Sequence, residues 1–238
     1  MAGCEALADS YSAAAVLHNI SLLHYTRSEY EAALQYLDRA CDLERRVGDW
    51  NGLLSSENAR GDMLEIMGRL DEACGVLDRA LAEAKDQNDV WTYGSCLATL
   101  TEVQILQGEW ATAKQTAQRV LAMPGVNANA RIYTAAQCGL AMAQLMSGDR
   151  EEARRIMEKL PADRIGLEVG LKRQVMIALV GLSYGTLDTA RTMLVAVKER
   201  AQAVKHLPYA HAADRLLRAI ETNVPLIDLP RLVYCDVG

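Results

Sequence analysis

A 40-residue internal period constrains this chain more than any other feature of its sequence. Ala33, Ala73, Ala113 and Ala153 fall in register, and so do Ser28, Gly68, Gly108 and Gly148. Two positions after each small turn residue stand Tyr30, Leu70, Trp110 and Arg150, and four after each alanine stand Leu37, Leu77, Ala117 and Met157. These offsets are helical, so each unit reads as a helix A, a tight turn and a helix B. In the second unit the expected helices cover about residues 50–67 and 70–85, with Gly68 as the turn. Asp49, Asp89 and Asn129 recur just before each following helix A, where a short acceptor side chain can bond an otherwise unpaired backbone N–H.

Packing explains the alanine. Where the two helices of a hairpin cross closely, a side chain beyond Cβ forces them apart or off rotamer, at ~1–3 kcal/mol. One hairpin cannot bury its apolar face alone, so units must stack. The expected fold is all-α: a right-handed α-solenoid of about five helical hairpins plus a C-terminal capping helix, in a single domain over residues 1–222. The units fall at about residues 14–48, 49–88, 89–128, 129–163 and 164–206. The fifth has a shorter spacing of 37, with Gly185, Leu187, Ala190, Leu194 and Val197 in the roles of Gly148, Arg150, Ala153, Met157 and Leu160. Pro208 opens the capping helix at residues 208–222, whose Asp214, Arg215, Arg218 and Glu221 give it a wettable face. Residues 223–238 carry Pro225 and Pro230 in a mostly apolar stretch and are expected to be an extended tail. Such a tail rests on the last unit, leads into a further domain, or inserts in a neighbour's groove.

Composition narrows the function. The chain is 50% hydrophobic with no phenylalanine and five prolines, which favours helix over sheet. A net charge of −6 without a basic block leaves no electrostatic footprint for nucleic acid or an anionic membrane. With no membrane-length apolar run and no signal-peptide pattern at the N-terminus, the expected location is cytoplasmic. The six scattered cysteines, lacking any Cys-x-x-Cys pair, read as reduced thiols filling core positions. Phosphate-cradle, zinc-hydrolase and nucleophile-elbow motifs are absent, and neither His18 with His24 nor His206 with His211 has ligand spacing. No catalytic, cofactor-binding or metal-ligating residue is therefore expected.

The hairpin signature resembles the tetratricopeptide repeat, most clearly in Gly68-Arg69-Leu70-Asp71-Glu72-Ala73 through Leu77 and Ala80, with Gly61 and Leu64 in the preceding helix. In the first unit Leu17, Ile20, Ser21, His24, Ser28, Tyr30, Ala33, Leu37 and Ala40 fall on the same pattern. The likeness covers about residues 14 to 200, although the unit is longer than the family's standard one and lacks its terminal proline. Long variants of this kind are similar to the arrays in bacterial transcriptional regulators, signalling ATPases and cargo adaptors. The resemblance implies that the A helices line a concave groove, which places His18, Leu22 and Tyr25, then Asn58, Asp62 and Glu65, then Ala98, Glu102 and Ile105, then Cys138, Met142 and Leu145 on it. The strongest contact candidates are His18, Tyr25, Asn58, Asp62, Glu65, Glu102, Met142 and Leu145. The groove is then acidic early and apolar later, suited to a protein or peptide with a basic and an apolar part. The same residues are equally compatible with solvated helix faces and ordinary core. The family's cationic clamp for a terminal carboxylate is not visible, and exposed solenoid edges leave self-association open. The expected function is a non-catalytic protein-interaction scaffold; the alternative is an effector-sensing segment of a multidomain transcriptional regulator or signalling ATPase.

Overall fold

The computed structural model describes residues 2–160, 166–222, 224–225 and 228–235, with side chains from Ser10 onward. The end of the fourth expected unit at 161–163, the start of the fifth at 164–165, and tail positions 223, 226–227 and 236–238 lie outside the described residues. The described residues form helices α1 (Ala2–Thr26), α2 (Tyr30–Val47), α3 (Trp50–Ile66), α4 (Leu70–Asp86), α5 (Val90–Leu106), α6 (Trp110–Leu121), α7 (Ala130–Met146), α8 (Arg150–Lys159), α9 (Leu167–Ser183), α10 (Leu187–Ala203), α11 (Leu207–Thr222) and α12 (Leu229–Tyr234). A 3-10 turn, Val126–Ala128, separates α6 from α7.

Each hairpin turn is built alike. Residues Ser28, Gly68, Gly108, Gly148 and Gly185 adopt positive φ between 57° and 88°. In the second hairpin the Gly68 N–H donates to the Glu65 carbonyl at 2.9 Å and the Arg69 N–H to the Leu64 carbonyl at 2.8 Å. This is the six-residue C-cap in which a left-handed residue satisfies two orphan carbonyls, and the other four turns repeat both bonds. The next helix begins two residues on, at Tyr30, Leu70, Trp110, Arg150 and Leu187. At the other end of the period, Asp49, Asp89 and Asn129 accept bonds from the backbone N–H of Gly52, Thr92 and Ile132 at 3.0, 3.0 and 3.2 Å.

The periodic alanines sit at the crossings: Ala33, Ala73, Ala113 and Ala153 are 0% exposed and Ala190 is 1% exposed. Facing them, small A-helix residues recur at the same spacing, with Ser21, Gly61, Thr101 and Ala141 all buried. A Cβ added at Gly61 would lie 2.6 Å from Leu77 Cδ2, so α3 and α4 touch where a side chain has no room. The A helices also pack directly on one another, α1 on α3, α3 on α5, α5 on α7, α7 on α9 and α9 on α11. They form the inner layer of the stack and are buried around most of their circumference; α5 alone buries Cys96, Leu97, Ala98, Val103, Ile105 and Leu106. The B helices α2, α4, α6 and α8 bury one face and wet the other.

The tail differs from expectation. Residues Leu229–Tyr234 form a short helix, with Pro230 in its first turn. A proline there costs nothing, because the N–H it lacks would have no partner inside the helix. α12 turns inward and packs on α11 and α5.

Two glycines of the second hairpin give opposite expected outcomes. Gly61→Ala should destabilise the protein by ~1–3 kcal/mol, because overpacking against the fully buried Leu77 outweighs the better helix propensity of alanine. Gly75→Ala, where a new Cβ meets only the far end of Arg79 at 3.8 Å, should stabilise by roughly 0.5–1 kcal/mol. Urea unfolding midpoints of both variants, compared at equal m, decide whether the α3–α4 crossing lies where described.

Candidate functional site

The stack curves far enough for its ends to meet. Tyr25, in the last turn of α1, donates its hydroxyl to Glu168 at the start of α9 at 3.5 Å. The Tyr25 ring meets His206 edge-on at a centroid distance of 5.4 Å, and His206 leans on Tyr209 at 5.1 Å. The Ser28 hydroxyl lies 3.3 Å from His211 Nδ1. These contacts close the A helices around a cavity of about 250 Å³. α1, α3, α5, α7, α9, α11 and α12 all contribute to its wall.

Six of the eight strongest sequence candidates line this cavity: His18, Tyr25, Asn58, Asp62, Glu65 and Glu102. Leu22 and Ala98 join them. Met142 and Leu145 do not; at 0% and 6% exposure they belong to the core with Leu171, Val175 and Tyr234, as do Ile105 and Cys138. The cause is the twist of the stack. The cavity meets α3 from Ser55 to Ile66, α5 from Ser95 to Glu102, α7 from Arg131 to Ala135 and α9 from Glu168 to Lys172. Its wall thus slides toward the N-terminal ends of successive A helices, and the C-terminal half of α7 is covered by its neighbours.

The sequence also gives too acidic a groove. Facing Asp62, Glu65, Glu102 and Glu168 are Arg131, Lys172 and Arg215. Lys172 pairs with Glu102 across the cavity, joining α9 to α5 over 70 residues of chain. Burial works against the Lys172 charge, but Glu102 beside it more than offsets that and holds the ammonium well above the usual lysine range. Burial raises the Asp62 carboxyl too, although the Thr99 hydroxyl donates to it at 2.6 Å. Glu65 is only 3% exposed, and its Oε1 has no hydrogen-bond partner. Burial first and the neighbouring Glu102 charge second push its carboxyl well above the usual carboxylate range. Lys172, Glu168, Tyr209 and Tyr234 lie beyond the fourth unit and carry no periodic signal, while Arg131, at the start of the fourth unit, stands about two turns before the periodic groove positions Cys138, Met142 and Leu145.

His18 marks the rim. Its Nδ1 lies 2.9 Å from the Ser56 hydroxyl, which donates to the buried Glu44 carboxylate at 3.0 Å. Since that hydroxyl proton is engaged, His18 Nδ1–H is the donor in the first contact. Burial lowers the His18 pKa by disfavouring the charged ring. The thiols of Cys41, Cys96 and Cys138 are free and pushed up to about 12 by burial, so they are packing groups without nucleophilic character. Among the described residues no group of three His, Cys, Asp or Glu side chains could hold a metal ion, and no helix is long and apolar enough to cross a membrane. Chemically, the cavity offers carboxylates from α3, α5 and α9, cations from α7, α9 and α11, and the aromatic rings of Tyr25, Tyr209 and Tyr234.

No protein-family model matches this chain, and no curated protein does. The fold is similar to that of the Rap conjugation gene regulator of the plasmid pLS20, solved in complex with the Phr* peptide. The TM-score is 0.72 at 17% identity, over 94% of this chain, which spans 60% of that regulator's length. The all-α architecture of stacked helical hairpins, already evident from its own contacts, is thus shared with a tetratricopeptide-like helical regulator.

The raised Glu65 carboxyl carries a pH signature. A carboxyl whose pKa is higher in the folded state makes the fold bind extra protons, so its destabilising effect grows as pH rises from about 4.5 through the raised value. Glu65→Gln should therefore melt above the wild-type protein at neutral pH, and the gap should shrink as pH falls toward 4.5. A gap independent of pH over that range, in paired thermal melts, would mean that Glu65 is as well solvated folded as unfolded.

Proposed function

We propose that this chain is the peptide-sensing module of a regulator and that its ligand binds in the closed channel between α3 and α5 on one side and α9 and α11 on the other. The observation that carries this reading is the closure of the solenoid. An open scaffold presents its concave face to large partners, whereas Tyr25 on Glu168 and His206 seals this one into a channel with room for a few side chains at a time. A cavity of about 250 Å³ lies below the ~300–1,000 Å³ of ordinary small-molecule pockets, so it suits the side chains of a threaded peptide better than a compact ligand. The charges fit as well: Asp62, Glu65 and Glu102 face Arg131, Lys172 and Arg215, a pattern that orients a peptide carrying charges of both signs.

Support also comes from the shared fold, since a structure of this architecture has been captured with a peptide bound. It favours the sensing segment over the general scaffold. No residue of the channel is assigned a catalytic role. Partner chemistry is polypeptide, with neither nucleic acid nor membrane in direct contact, and the cytoplasm is where such a sensor would work. A ligand that touches both walls binds the closed solenoid differently from an opened one, and that difference supplies the energy of a switch.

The test is capture of peptides from the low-mass fraction of native extract by the full chain, read by mass spectrometry and by thermal melting. A channel ligand present at a hundredfold its Kd should stabilise the wild-type protein by about 2.7 kcal/mol. Asn58→Ala and Asp62→Asn, both on the cavity wall, should lose most of that gain, while Glu72→Ala on the exposed face of α4 should keep it. Capture of no peptide, or equal retention by all three variants, would remove the channel from consideration.

A further inference from the structure

α12 occupies an unexpected place. A six-residue helix is too short to hold itself together, so its form depends on the surface beneath it. That surface is the inner wall of the channel. Leu229, Pro230 and Tyr234 are buried, Val233 and Tyr234 line the cavity, and α12 touches α5, which lies some 130 residues earlier in the chain. Three ties hold it. Arg215 Nε donates to the Leu232 carbonyl at 3.0 Å, the Lys172 ammonium stands 5.5 Å over the Tyr234 ring, and Cys235 Sγ lies 3.7 Å from the Glu65 carbonyl. A short segment with an aromatic anchor, seated in a channel between helices and fixed by a backbone contact and a cation over its ring, is bound as a peptide ligand is bound.

The fit is good in shape and poor in polarity. The Tyr234 hydroxyl has no hydrogen-bond partner, and neither has Glu65 Oε1, although both are buried on the wall of the same cavity. A buried tyrosine normally places its hydroxyl against a partner, and an unmet carboxylate oxygen is a more serious defect. An occupant that brought a donor to Glu65 would correct what α12 leaves unsatisfied. The connection to α11 lets this happen without disturbing the stack. Val224 donates to the Ala219 carbonyl to finish α11, Pro225 prevents the helix from running on, and α12 begins at Leu229, after six residues of chain beyond Thr222.

We propose that the C-terminal segment carrying α12 is a resident occupant of the channel, and that an incoming peptide must displace it. The inference rests on the peptide-sensing reading and adds its regulation. The short tether keeps α12 at high effective concentration, so even a weak intrinsic fit gives near-complete occupancy. The effector is then a peptide with an aliphatic or aromatic anchor for the Tyr234 position and an adjacent hydrogen-bond donor for Glu65. Displacement frees Leu229, Val233 and Tyr234 as an apolar face that is otherwise hidden.

A fluorescein-labelled synthetic peptide of residues 224–238 provides the probe, titrated against the full chain. It should bind the Leu229→Ala, Tyr234→Ala double variant about tenfold or more tightly than it binds the wild-type protein, whose own tail competes. Tyr234→Phe keeps the ring and removes the unmet hydroxyl, so it should bind the probe no better than wild type, and its α12 amides should exchange more slowly. Should the double variant fail to fold by circular dichroism, the wild-type protein still answers: excess unlabelled peptide should raise hydrogen exchange across α12. Equal affinity for wild type and double variant, binding to neither, or α12 exchange unmoved by excess peptide would each overturn the proposal. If extract peptides bind while α12 stays protected, this inference fails and the sensing reading stands; if the tail peptide binds and no extract peptide does, the sensing reading fails and only the tail's occupancy of the channel stands.

Discussion

The close approach of helices A and B within each hairpin sets everything else in this molecule. At Ala33, Ala73, Ala113, Ala153 and Ala190 on one side, and Ser21, Gly61, Thr101 and Ala141 on the other, side chains small enough for near-contact recur along the chain. Interior packing leaves little slack, so a fixed crossing distance fixes the angle between successive hairpins. Small rotations of one sign accumulate, and after the fifth hairpin they bring α9 and α11 round to α1. The cavity is the geometric remainder of that closure. No single residue builds it.

Because the A helices form both the inner layer and the cavity wall, they carry polar groups within an otherwise apolar layer. Asp62, Glu65 and Glu102 lie in or beside the core cluster that includes Met63, Leu64 and Val103. Burying the Glu102–Lys172 pair gains little stability, since desolvation of both ions offsets most of their attraction. The pair orients two walls against each other, and its partial exposure to the channel keeps it available to a ligand. Elsewhere the polar interior is better satisfied. The His18, Ser56 and Glu44 chain at the rim ties α1 to α3 and α2 through donors and acceptors in sequence.

Legibility in the sequence followed the range of the physics involved. A left-handed residue at Gly68 or Gly108, a capping Asp49 or Asp89, and an alanine at a crossing each answer a constraint within a few residues, so the period exposes them. The first three A helices keep that periodicity, and their groove positions His18, Asn58, Asp62 and Glu102 line the cavity. Met142 and Leu145 were misplaced because equivalent positions stop being equivalent once the twist carries the cavity along the helices. Lys172 and Glu168 follow the non-periodic stretch before α9, where the spacing falls to 37, and their role depends on meeting α5 and α1 across the ring. Pro225 and Pro230 suggested extended chain because proline breaks a helix from within. At the first turn it does not, and only the surface supplied by α5 and α11 makes α12 worth forming.

The closure uses polar and ring contacts, unlike the aliphatic packing within the hairpins. Within the hairpins, Leu37, Leu77, Leu171, Leu179 and Leu194 are almost fully buried, and their contacts resist any change of crossing angle. Between the ends, the seal includes a 3.5 Å hydrogen bond from Tyr25 to Glu168, an edge-on ring contact with His206 and a 3.3 Å contact between Ser28 and His211. The Tyr25–Glu168 distance stands at the upper edge of hydrogen-bonding range. On the proposed reading, a ligand lying between the carboxylates of α3 and α5 and the cations of α9 and α11 would act across this closure.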